Sequence, residues 1–183
     1  SSAWTITGNK FFQTGTRTAT AGATHRAINI ITANGGGYTI SNNIIGFATS
    51  TGTGITTYDG GFASRFLGIE LTAAATPVSN IQGNTVTAIS LSTTSGATSA
   101  PGIFSGISVL GGGVNIGTTT GNTIGAATGI GSISITSSTS LAYISGIYTS
   151  SSATATIQNN IVGSITTGGT ASIGYTFYGI NTS

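Results

Sequence analysis

The chain of 183 residues has no cysteine and no methionine, and only one histidine, two acidic residues and four lysines or arginines. Without cysteine there is no disulfide frame, no thiolate nucleophile and no thiolate metal ligand. A single histidine and two carboxylates leave little for acid–base chemistry or a metal centre. We therefore name no catalytic, cofactor-binding or metal-ligating residue, and expect no enzyme and no cofactor. Calcium rolls fail for the same want of aspartate. Four scattered cations and a net charge of +2 cannot neutralise a run of phosphates, so nucleic acid is excluded as a partner. No apolar run approaches the ~18 residues of a membrane-crossing helix, so membrane insertion is not expected either.

In their place stand 36 Thr, 24 Ser and 30 Gly, about half the chain, together with 25 Ile spread evenly along it. Low charge with this much Ser, Thr and Gly resembles a linker, but hydrophobic residues at 38% oppose that reading. The helix formers Glu, Lys and Gln are scarce, while Ile, Val, Thr, Phe and Tyr abound, which is strand composition. Alternation is visible at Ile28-Asn29-Ile30, Ile69-Glu70-Leu71, Ile107-Ser108-Val109 and Ile133-Ser134-Ile135, as half-buried strands require. The expectation is an all-β fold.

Self-similarity organises the rest. One element is Ile-x-x-Asn-x-apolar: Ile6 to Phe11, Ile40 to Ile45, Ile81 to Val86 and Ile157 to Val162, with Thr119 taking the place of the first Ile in Thr119 to Ile124. Its asparagines, Asn9, Asn43, Asn84, Asn122 and Asn160, are separated by 34, 41, 38 and 38 residues. A second element is a small residue before Ile, at Ala27-Ile28, Gly68-Ile69, Gly106-Ile107, Gly146-Ile147 and Gly179-Ile180. Phe66, Phe104 and Phe177 stand three residues ahead of that Ile, with His25 and Ile144 in the other copies. From this Ile to the next Asn the distance is nearly constant, while from the Asn to the next Ile it varies.

A chain that winds back above itself explains both elements. Inward Ile, Val and Phe would stack on their equivalents in adjacent coils, and each coil alone would leave them half exposed. The asparagines would form a column, hydrogen-bonding to one another and turning the chain in the left-handed conformation that Asn tolerates. The variable arm, for example Ser92 to Gly102, reads as loop. These features predict one coil per repeat, about five coils of 34–41 residues, with three short parallel strands in each.

On these motifs the chain resembles the parallel β-helix repeat of pectate-lyase-like proteins. Its Ser/Thr/Gly-rich version is similar to the long cell-surface repeat proteins and adhesins of Bacteroidota, exported by type IX secretion. The resemblance implies a right-handed parallel β-helix at the surface or in a filament, and transfers no catalytic residue. Residues 1–183 are read as a single β-solenoid segment of a longer repetitive chain.

The few charged groups read as structural. Asp59 opens the turn Asp59-Gly60-Gly61, Glu70 is expected outward in a surface ion pair with Arg65 at hand, and His25-Arg26 is expected to cap the first coil. Gly35 to Gly37 and Gly111 to Gly113 read as one recurring turn, since no Lys-Ser/Thr follows them. Thr5-Ile6-Thr7, Thr39-Ile40-Ser41 and Thr118-Thr119-Thr120 would share one face as hydroxyl ranks, resembling ice-binding solenoids, although Asn80 and Gln82 interrupt them. The leading expectation is a non-enzymatic extracellular or cell-surface stalk, filament or adhesin. Its partners would be further copies or repeats of itself, end-to-end or lateral, and surface glycans. The alternatives are an ice-binding solenoid and a carbohydrate-binding or carbohydrate-degrading β-helix.

Overall fold

The computed structural model describes residues 3–94, 96–138, 141–169 and 174–183. The chain winds through five coils, and each coil contributes one strand to each of four parallel five-stranded sheets. The first coil runs β1 (Thr5–Thr7), β2 (Lys10–Phe11), β3 (Arg17–Thr18) and β4 (Thr24–Ile31). The second runs β5 (Thr39–Ser41), β6 (Ile44–Ile45), β7 (Thr56–Asp59) and β8 (Arg65–Thr72). The third runs β9 (Ser79–Gln82), β10 (Thr85–Val86), β11 (Ile89–Thr93) and β12 (Phe104–Gly111). The fourth runs β13 (Val114–Ile116), β14 (Thr123–Gly125), β15 (Ile133–Ser137) and β16 (Ala142–Thr149). The fifth runs β17 (Ala155–Ile157), β18 (Ile161–Gly163), β19 (Ile165–Gly169) and β20 (Tyr175–Thr182). Every strand pairs with the one four places along, which defines an all-β parallel β-helix of one coil per repeat. At ~4.8 Å between strands the stack is about 19 Å tall.

Each coil thus has four strands, one more than expected. The additional sheet, β3 to β19, lies in the variable arm. There Ile89, Leu91, Ile133 and Ile135 are buried at alternate positions, and β11 takes in Ser92 and Thr93. The variation in repeat length is carried by the loops around this sheet, ten residues between β6 and β7 but two between β10 and β11.

The small-residue–Ile element lies in the longest strands. Ile28, Ile69, Ile107, Ile147 and Ile180 pair in one row, and the first four are buried. Beside them runs the row His25, Phe66, Phe104, Ile144 and Phe177. In the second, third and fourth coils the glycine preceding the Ile is required by close packing. A Cβ on Gly106 would stand 2.5 Å from Ile124 Cγ1, and one on Gly146 would run into Val162. The corner between the fourth sheet and the first is as tight: a Cβ on Gly36 would meet the Pro77 carbonyl, and Gly37 turns at φ +74.

The asparagines form a continuous ladder at the corner between the first two sheets. Asn9 Nδ2 donates to Asn43 Oδ1 at 3.0 Å, Asn43 to Asn84 at 3.0 Å, Asn84 to Asn122 at 2.9 Å and Asn122 to Asn160 at 2.9 Å. Each Oδ1 so used also accepts the backbone N–H of the preceding asparagine. From the second coil on, the other amide hydrogen reaches back to a carbonyl of the coil before, Ile6, Ile40, Ile81 or Ile116. The left-handed residue of the turn is the one ahead of the ladder, at Gly8, Asn42, Gly83 and Asn159. The ladder asparagines themselves are free of that strain.

Candidate functional site

The fourth coil corrects the sequence register. Ile116, not Thr119, pairs with Ile81 and Ile157, and Asn115 pairs with Asn80 and Thr156. Three residues are inserted between this Ile and its asparagine, so the motif search aligned on the asparagine and displaced the strand. Thr118, Thr119 and Thr120 therefore lie outside the sheet, against Gln82, whose Oε1 accepts the Thr119 and Thr120 N–H groups. The outward rank that contains Thr5 and Thr39 continues as Asn80, Asn115 and Thr156.

The charged side chains gather in the first two coils. Glu70 is buried rather than solvated, and Arg26 Nε of the coil before donates to its Oε2. Alternation along the strand gave the outward direction, but neighbouring side chains cover that face. Arg65 instead donates to the Gly102 carbonyl at 2.7 Å. Burial pulls its guanidinium below the ordinary arginine range, with the Glu70 charge opposing. Asp59 ends β7 exposed, and its Oδ1 accepts the Gly60 N–H at 2.8 Å, the expected turn. Among the described residues no three His, Cys, Asp or Glu side chains come together.

The most developed concavity, about 350 Å³, opens at the first coil. Phe11, Phe12, Tyr58 and Phe66 supply apolar wall, and Lys10, Arg17, His25 and Arg26 supply the polar part. Aromatic rings lead inward from it: His25 to Tyr58 at 4.7 Å, Tyr58 to Phe66 at 5.3 Å, and Phe66 to Phe104 at 6.0 Å and nearly parallel. Two of its groups occupy columns that hold buried aromatic or aliphatic side chains in the next coils, although the fifth coil places Thr167 in the first of them. Arg17 aligns with Tyr58, Leu91 and Ile135, and His25 aligns with Phe66 and Phe104. Burial, with Arg17 as the lesser cause, holds the His25 pKa below its ordinary value; burial likewise raises that of Tyr58, against the pull of Arg17.

The opposite end of the stack is apolar. Phe177 is 48% and Ile180 52% exposed at positions whose equivalents in the third coil are fully buried. The strands of the fifth coil pair on one side only, and no Asp, Glu, Lys, Arg or His follows Glu70 in the sequence. No protein-family model, curated protein or solved structure matches the chain.

Proposed function

We propose that the chain is a non-enzymatic, extracellular or cell-surface β-solenoid that works as a stalk, filament or adhesive element. The observation that carries this reading is the edge of the fifth coil. Among the described residues it combines four unpaired strand edges and an exposed Phe177 and Ile180, and the sequence there has no charge to repel a neighbour. A strand edge without charge or proline is a template for further strands. The partner that fits is more of the same structure, whether further coils of one polypeptide or another copy. The Ser/Thr/Gly-rich outer faces are in keeping with the Bacteroidota cell-surface repeat proteins that the sequence resembles. The ice-binding reading has less support, because Asn80 and Asn115 interrupt the threonines in the outward rank of the first sheet.

Sedimentation velocity over a concentration series tests this. The 183-residue chain should associate as concentration rises, and the double variant Phe177→Lys with Ile180→Lys should shift it to monomer. A wild-type chain that stays monomeric at the highest concentration reached, or association indifferent to the two lysines, overturns the reading.

A further inference from the structure

We infer that the cavity at the first coil is a binding site for a small organic carboxylate with a flat apolar body. The argument begins with the column positions. Arg17 and His25 stand where later coils place core side chains, so a plain apolar coil laid over them would bury a guanidinium with no counter-charge. That is strongly unfavourable, and inward-pointing charge is a known way of stopping strand addition. The mouth is therefore not a second copy of the fifth-coil edge, and a negatively charged group seated in it would offset the guanidinium.

The other charged groups nearby are already engaged. Lys10 Nζ donates to the Ser50 carbonyl at 2.8 Å, and Arg26 is held by Glu70. Among the described residues Arg17 has no ion-pair partner, and the His25 Nε2 is buried without a hydrogen-bond partner. The free guanidinium calls for a carboxylate, which it can grip through two parallel N–H donors. The rings of Phe11, Phe12, Tyr58 and Phe66 call for a flat apolar remainder. A cavity of about 350 Å³ lies at the small end of the ~300–1,000 Å³ range of ligand sites, which suits a single-ring acid. This inference does not depend on whether the fifth-coil edge stacks.

His25 is the only histidine in the chain, so its ring resonances report on the site without assignment. Benzoate is the probe, with benzyl alcohol (same ring, no charge) and acetate (same charge, no ring) as controls. Benzoate should shift the His25 ring saturably, and both controls should bind about tenfold or more weakly. Arg17→Gln should weaken benzoate by a similar factor, while Arg17→Lys should recover part of the loss. Arg17 is exposed, so both variants should keep the wild-type circular dichroism. Absence of a saturable shift, or benzyl alcohol matching benzoate, overturns the assignment using the wild-type protein alone. Unchanged benzoate affinity in a folded Arg17→Gln overturns the role of the guanidinium.

Discussion

Asn84 stands at the centre of the ladder, and one side chain there serves both neighbouring coils. Its Oδ1 accepts from Asn43 N and Nδ2, and its Nδ2 donates to Asn122 Oδ1 and the Ile40 carbonyl. All of this occurs at about 1% exposure, where an orphaned polar group costs about 1–3 kcal/mol. Asn84→Ala should therefore lower stability by about 3–5 kcal/mol, since it strands partners on both sides. Asn9→Ala should cost under about 1 kcal/mol, because Asn9 is exposed and ladder partners lie on one side only. Urea midpoints of the two variants measure the difference; equal losses would show that the ladder adds little to the core.

The ladder was legible in the sequence because asparagine at a fixed place in five repeats has few other uses. The left-handed residue beside it was not, because Gly8, Asn42, Gly83 and Asn159 read as generic turn residues until the backbone shows which one takes positive φ. Nor were the Arg26–Glu70 pair and the mouth around Arg17 legible. They join residues 44 apart in the first case and six strands from two coils in the second. Only the register reveals that Arg17 stands in line with Tyr58, Leu91 and Ile135.

At the scale of the strand, Gly68, Gly106 and Gly146 before their core isoleucines are spacing devices. The fourth sheet approaches the second across the coil, and the branched side chains of Ile124 and Val162 fill the space a Cβ would occupy. Gly106→Ala should cost about 1–3 kcal/mol through overpacking. Gly179→Ala, the same motif position with nothing within 4 Å of the added Cβ, should be close to neutral. Denaturant midpoints for the pair check this, and a neutral Gly106→Ala would mean that the sheets are not packed this closely. The sequence marked these strands because small-residue–Ile recurs regularly. It concealed the third sheet because loops of different length displace β7, β11 and β15 from any fixed spacing, and because Ser and Thr alternate with their buried residues.

At the scale of the molecule, the stack is a directional object. Over the described residues its first coil places Arg17 and His25 at inward columns, and its fifth exposes Phe177 and Ile180 without charge. This polarity follows from where a handful of residues fall in an otherwise uniform repeat, so composition alone could not have placed it. The whole account rests on the register, one coil per repeat with β9 beside β13. The chain has no cysteine of its own, so pairs introduced by substitution report on that register directly. Asn115 Nδ2 donates to Asn80 Oδ1 at 3.2 Å, and neighbouring strands at ~4.8 Å lie within disulfide reach. Asn80→Cys with Asn115→Cys should cross-link readily under mild oxidation. Asn80→Cys with Thr156→Cys, two coils apart, should not. Efficient closure of the second pair in the monomer, or failure of the first, would contradict the fold described here.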